Sequence, residues 1–99
     1  MEIKVIDEGK PYVIGIVGRL DTNTSPQLEE FAKGLYAKGV NDIVVDMSEC
    51  VFVSSAGLRV IVAMQKQAAV SGSLVFRGVV SDVMEVFQMT GFDNILTFE

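Results

Sequence analysis

Two adjacent hydroxyl side chains, Ser54 and Ser55, stand where an apolar, buried-looking segment passes into a segment with helical spacing. The stretch reads V-F-V-S-S-A-G-L-R-V over residues 51–60. Serines at such a junction can cap the helix, attack a substrate, lie against a bound phosphate, or be phosphorylated themselves. These four chemistries make different demands on the rest of the chain.

The nucleophile hypothesis needs a base, and the sequence has no histidine. A Ser-His or Cys-His pair and a histidine-based metal site are therefore excluded. The G-x-S-x-G elbow is missing too, because Val53 stands where the motif needs its first glycine, although Gly57 fills the second position. The phosphate-binding G-x-x-x-x-G-K-[ST] loop and a C-x-x-C pair are also absent. We therefore expect no catalytic residue, no metal, no cofactor and no enzymatic activity.

Three roles remain open for the serines. A capping hydroxyl accepts a bond from an unpaired backbone N–H and contributes about 1 kcal/mol. A helix start also favours a bound anion, although the single Gly57 makes a weak phosphate loop. A phosphate attached to Ser55 would place roughly two negative charges at the helix start. The helix tolerates them, whereas a partner packed there meets new charge, so binding would switch without a change of fold.

A second polar cluster, Asp21, Thr22, Asn23 and Thr24, precedes the first predicted helix. Turn and cap chemistry is its simplest role. Loops at the carboxyl ends of strands share one edge of an α/β sheet, so this cluster and the serines could face one partner. Arg59, one turn into the second helix, is expected to be exposed and within reach of a phosphate or a carboxylate.

Composition limits the class of protein. The 99 residues are 49% hydrophobic and 21% charged, which predicts one small folded domain over residues 1–99. A net charge of −5 without a basic cluster argues against nucleic-acid binding. The apolar runs are too short to insert into a bilayer, and the N-terminus lacks the pattern of a secretion signal. The lone Cys50 fits a buried thiol in the reducing cytoplasm.

Strands and helices alternate after residue 20, which predicts an α/β domain with a small mixed β-sheet, an N-terminal hairpin and crossover helices. The hairpin is expected over residues 2–18. The first helix is expected to be capped by Thr24 or Ser25 and to stop at Gly39. The remaining strands are predicted at residues 43–45, 74–76 and 95–96. A second helix is predicted to run from Leu58 to 71–73, with Ile61, Val62, Gln65 and Ala69 at helical spacing. A third helix is predicted to be capped by Ser81 or Asp82 and to end at Gly91.

Four segments of this chain resemble the STAS domain of bacterial anti-sigma factor antagonists: G-R-L-D-T-N-T, I-V-V-D-M-S, F-V-S-S-A-G-L and V-F-Q-M-T-G-F. They occur in the family's order and span nearly the whole chain. The resemblance implies a cytoplasmic, STAS-like α/β domain that binds an anti-sigma factor serine kinase while unphosphorylated. Phosphorylation by that kinase releases it, and a serine phosphatase resets the switch.

In this family the phosphoacceptor is the serine two residues before the glycine of D-S-S-G-L, which corresponds to Ser55. The family's first-loop aspartate falls on Asp21, and a hydroxyl three residues later falls on Thr24. Ser54 stands where the family has an acidic residue and is the second candidate acceptor. The expected partner-binding residues are Asp21, Thr22, Asn23, Thr24, Ser54, Ser55, Ala56, Gly57 and Arg59.

The family also allows an alternative. Some STAS domains act without phosphorylation as accessory subunits of phospholipid-transport or signalling assemblies. Such a subunit needs the same fold and a protein partner rather than a different motif, so both functions are carried forward.

Overall fold

A computed structural model describes all residues, 1–99, and contains five strands and three helices. The strands are β1 Glu2–Asp7, β2 Tyr12–Leu20, β3 Asp42–Val53, β4 Ser73–Arg77 and β5 Thr97–Phe98. The helices are α1 Ser25–Ala37, α2 Ser55–Ser71 and α3 Ser81–Thr90, with a short 3₁₀ turn at Phe92–Asn94. None of these helices has the length and apolar character needed to cross a membrane.

The five strands form one mixed sheet in the order β1-β2-β3-β4-β5. β1 and β2 pair antiparallel, and β2 through β5 pair parallel, so α1, α2 and α3 are the crossovers between neighbouring strands. A parallel pair requires such a crossover, and right-handed crossovers that all step the same way bring the helices to one face. The predicted α/β fold with an N-terminal hairpin is confirmed.

The main core lies between that face of the sheet and the helices. Ile14, Val45 and Phe76 are neighbours in register on three strands and are all buried. They belong to one apolar cluster, to which the three helices contribute Leu28, Ile61 and Phe87. Val13 and Val44, which point to the other face, are buried but lie outside this cluster.

The ends of two helices differ from the prediction. Thr24 is the N-cap residue of α1 as expected, but its hydroxyl makes no capping bond. The N-cap of α3 is Val80, so Ser81 is already the first helical residue and Asp82 the second. An extended backbone at the cap position decides where a helix begins, and Val80 adopts it without a polar side chain. The two glycine stops are confirmed, because α1 ends two residues before Gly39 and Gly91 is left-handed.

Two apolar patterns are also shifted. The buried stripe of α2 runs through Leu58, Ile61, Met64 and Ala68, rather than through Val62, Gln65 and Ala69. The last strand begins at Thr97 instead of residue 95, because the 3₁₀ turn continues to Asn94. The strand then pairs its second residue with Phe76 on β4.

Gly72 lets the end of α2 pass close to the start of β3. A Cβ at this position would overlap the carbonyl group of Asn41, lying 2.6 Å from its carbon. The next residue, Ser73, donates its N–H to the same carbonyl oxygen over 3.0 Å. The backbone there is extended, so space, and not conformation, requires the glycine.

We expect Gly72→Ala to lower the free energy of unfolding by about 1–3 kcal/mol or more, because two backbone segments must separate. Urea unfolding measures it. The matched control is Gly34→Ala in α1, where nothing lies within 4 Å of the added methyl group. That variant should gain roughly 0.5–1 kcal/mol, since alanine suits a helix interior better. Equal stabilities for the two variants would contradict the close packing.

Candidate functional site

The polar loop and the serine pair leave the sheet at neighbouring points. β2 ends at Leu20 and β3 ends at Val53, and these two residues are partners in the parallel ladder. The backbone N–H of Ser54 donates to the carbonyl oxygen of Leu20 over 2.9 Å. The structure thus brings both predicted segments to one edge of the sheet.

Gly57 holds the first turn of α2 against the end of β2. It is buried, and a Cβ there would lie 2.8 Å from both the carbonyl oxygen and the Cγ of Leu20. Another part of the chain therefore covers Gly57, and its contact with a partner stays a prediction. Its lack of a side chain sets the distance between the two loops.

Ser54 is the N-cap of α2. Its backbone is extended, and its Oγ accepts a hydrogen bond from the N–H of Gly57 over 3.2 Å. The side chain is half-buried. Of the two serines, Ser54 therefore fills the capping role.

Ser55 is the first residue of α2 and is exposed. No hydrogen bond within the chain engages its hydroxyl, in contrast to that of Ser54. The following residue, Ala56, is half-buried. Ser55 thus offers an accessible oxygen without a hydrogen bond in the first turn of a helix.

Asp21 organises the loop between β2 and α1. Its Oδ1 accepts bonds from the N–H groups of Asn23, over 3.0 Å, and Thr24, over 3.1 Å. The Thr24 hydroxyl accepts from the N–H of Asp21 over 2.8 Å and donates to the carbonyl oxygen of Arg19 over 2.7 Å. This explains why Thr24 does not cap α1, since its hydroxyl ties the loop back to β2.

The predicted loop residues therefore divide by exposure. Asp21 and Thr24 are half-buried and occupied by bonds within the loop, while Thr22 and Asn23 are exposed. The hydroxyl of Ser25 donates to the carbonyl of Asp21, which fixes the start of α1 behind them. Only the outer pair presents free side chains to solvent.

The carboxyl of Asp21 titrates below its ordinary range. Partial burial acts to raise its pKa, but hydrogen bonds from Thr24 and Asn23 and the positive charge of Arg19 together outweigh burial and lower it. The Arg19 Nε lies 3.8 Å from the Asp21 Oδ2. The group is a stable carboxylate at neutral pH, which suits an organising role rather than proton transfer.

Arg59 is exposed on α2, as predicted. It lines a shallow groove between the first turns of α1 and α2. The other residues of this groove are Thr22, Ser25, Pro26, Glu29, Ala56 and Val60.

Sequence reasoning missed two exposed apolar side chains beside the serines. Val51 is 59% exposed and Phe52 is 37% exposed, although the apolar run predicted burial. The reason is register, because β4 pairs only with Asp42–Asp46 and leaves the far half of β3 without a neighbour on that side. The Arg19 guanidinium stacks over the Phe52 ring at 4.1 Å. Only the length of β4 relative to β3 could have signalled this.

The remaining reactive groups are placed for structure. Cys50 is fully buried, as expected, and burial raises the pKa of its thiol. No three side chains of the His, Cys, Asp and Glu types lie together in a way that would hold a metal ion.

A mixed five-stranded sheet, with helices on one face and two polar loops meeting at one edge, defines a small α/β domain whose loop edge is open to solvent. The family model described as "Mlab, STAS domain" matches residues 3–97 of the chain. The chain belongs to the STAS domain family.

Two relatives are similar over most of the sequence. A Bordetella bronchiseptica protein named as an anti-sigma factor antagonist, BtrV, is 35% identical over 79 residues, which cover 79% of this chain and 68% of the relative. The anti-sigma-B factor antagonist of Staphylococcus aureus is 27% identical over 97 residues, which cover 97% of this chain and 90% of the relative.

Two solved structures share the fold. A Thermotoga maritima protein described as an anti-sigma factor antagonist superposes with a TM-score of 0.81 at 22% identity, covering 98% of this chain and 83% of that one. The Bacillus cell fate determinant SpoIIAA in its phosphorylated form gives a TM-score of 0.75 at 19% identity, covering 99% of this chain and 91% of that one. These likenesses confirm the STAS architecture.

We expect the contribution of Asp21 to the free energy of unfolding to depend on pH. Its pKa in the folded chain lies below the ordinary 3.8, so its charge favours the folded state above that pH. This contribution disappears as the pH falls through the lowered value. Asp21→Asn keeps an acceptor oxygen but lacks the charge at every pH. The stability difference between parent and variant, from urea unfolding, should therefore be larger near pH 7 than at about pH 2. A difference that is constant with pH would contradict this.

Proposed function

We propose that this chain is an anti-sigma factor antagonist, a binding module controlled by phosphorylation of Ser55. One observation carries the assignment: the Ser55 hydroxyl is exposed and unbonded, while the neighbouring Ser54 hydroxyl is occupied as the helix cap. Membership of the STAS family and the names of the Bordetella and Staphylococcus relatives support it.

The modification requires only a hydroxyl from this chain. The Ser55 oxygen forms a bond to the γ-phosphorus of ATP, the bond from that phosphorus to the β,γ-bridging oxygen breaks, and ADP leaves. The hydroxyl proton passes to a base of the kinase, since this chain has no histidine and Ser55 has no bonded partner. In this reaction the chain is the substrate and the kinase is the enzyme. The chain itself acts by binding its partner.

The fold tolerates the added charge. Ser55 is exposed at the first position of α2, where free backbone N–H groups and the helix dipole favour an anion. The likeness to SpoIIAA in its phosphorylated form supports the same conclusion, because a phosphate is compatible with this architecture. The phosphate therefore acts on what docks at the surface rather than on the domain itself.

The proposed docking surface consists of the exposed members of the predicted set. Thr22, Asn23, Ser55 and Arg59 face solvent at the loop edge of the sheet. The half-buried or buried members Asp21, Thr24, Ser54, Ala56 and Gly57 position that surface from behind.

Unphosphorylated, this surface captures an anti-sigma factor serine kinase and so frees a sigma factor. Phosphorylated, it meets the kinase with roughly two additional negative charges on a chain of net charge −5 and lets go. A serine phosphatase restores the hydroxyl by hydrolysis of the phosphate ester. We place this cycle in the cytoplasm, where the sigma factor works.

The alternative is a STAS accessory subunit of a phospholipid-transport or signalling assembly that uses the same surface without phosphorylation. The observation in its favour is Ser54, which replaces the family's acidic residue before the acceptor with a neutral cap. A kinase assay separates the two functions.

The assignment predicts phosphate on one residue. The Ser55→Ala variant, immobilised on a resin, should retain a kinase from an extract of the native organism. Once purified, that kinase and ATP should phosphorylate the parent chain at Ser55 only, as mapped by peptide mass spectrometry. Ser54→Ala should still be phosphorylated, while losing about 1 kcal/mol of stability with its cap. Phosphate on Ser54, or on the Ser55→Ala chain, would refute the residue assignment. A retained protein without kinase activity would favour the accessory subunit.

The switch predicts a loss of binding without a loss of stability. Ser55→Asp should weaken binding of the captured kinase at least tenfold, measured by calorimetry. Its free energy of unfolding should stay within about 1 kcal/mol of the parent, because the helix start tolerates a carboxylate. The matched control is Ser71→Asp, at the exposed far end of α2, which should bind like the parent. Equal affinities for Ser55→Asp and parent would show that charge at this position does not control the complex.

A further inference from the structure

One arginine in this chain has no ionic partner. Arg19 lies 3.8 Å from Asp21 and Arg77 lies 3.1 Å from Asp46, whereas Arg59 takes part in none of the ion pairs. Its guanidinium is thus available to an anion that the unmodified chain does not supply.

Arg59 is placed to reach the Ser55 oxygen. The two residues are four positions apart on α2, and both are exposed. Residues at this spacing are neighbours on a helix surface, with Cβ atoms about 5–6 Å apart. Long helical side chains also lean toward the N-terminus of the helix, which directs the guanidinium of Arg59 over the turn that contains Ser55.

The charged groups around the groove do not compete for Arg59. Glu29, on the α1 side, lines the same groove but lies 3.8 Å from the Nζ of Lys33. Asp21 is engaged by Arg19 and by the N–H groups of its own loop. Each neighbouring carboxylate already has a cation of its own.

We propose that Arg59 binds the phosphate of phosphorylated Ser55 within the chain. The planar guanidinium donates two N–H bonds to two phosphate oxygens, a geometry that lysine does not reproduce. This inference rests on the phosphorylation of Ser55 in the proposed function and adds a second component to the switch. Modification both introduces negative charge and withdraws the one unpaired arginine from the docking surface.

The test places phosphoserine at position 55 during translation, so it needs no kinase. Phosphorus NMR then follows the second ionisation of the phosphate across neutral pH. A bound guanidinium favours the dianion, so Arg59→Gln should raise the midpoint by about half a pH unit. The Arg59 Nε–H proton signal of the parent should shift with the same midpoint. Arg59→Lys should fall between the two, because it keeps the charge without the paired donors.

The matched control is Lys66→Gln, which removes the same charge from an exposed position seven residues further along α2 than Arg59. It should titrate like the parent. Identical midpoints for parent and Arg59→Gln, or an equal shift in Lys66→Gln, would overturn the pairing. Either result would leave the proposed function unaffected, because that function is tested separately by mapping the residue that the kinase phosphorylates.

Discussion

The close contact between the first turn of α2 and the end of β2 is the constraint on which this domain depends. Gly57 has no side chain to separate them, and the N–H of Ser54 bonds directly to the Leu20 carbonyl. The contact covers the core at Leu20 and Val53, the last residues of β2 and β3, which are both buried. It also fixes the polar loop and the serine pair relative to each other. One packing contact therefore contributes to the stability of the domain and sets the geometry of the surface.

The polar and charged side chains at this edge divide into two sets by their hydrogen bonding. Asp21, Thr24 and Ser54 form hydrogen bonds with nearby backbone groups. Ser55 and Arg59 make no such bonds and face solvent. The inner set fixes the backbone, and the outer set is the one for which modification and partner binding are proposed. A residue type alone does not decide which role it takes; its position relative to the cap does.

The sequence was sufficient for the architecture because alternating strands and helices, glycine stops and the order of four segments are local patterns. It was insufficient where a property depends on long-range contacts. The burial of Gly57 is set by Leu20, far away in the chain, and the exposure of Val51 and Phe52 by the shortness of β4. The start of α3 at Ser81 depends on the backbone angles of Val80, which no side-chain preference signals. Among the candidate residues, Ser55 could be proposed from the sequence, whereas its freedom from hydrogen bonds depends on the folded structure.

Ser55, the proposed acceptor, belongs to the first turn of a helix and not to a loop, and this has a consequence for recognition. Drawing Ser55 out into an extended strand would break the cap at Ser54 and lift Gly57 from Leu20. An enzyme that modifies Ser55 must therefore bind the folded surface of the domain rather than an extended peptide. Chains without tertiary structure lack that surface, so the proposed modification would be confined to folded copies.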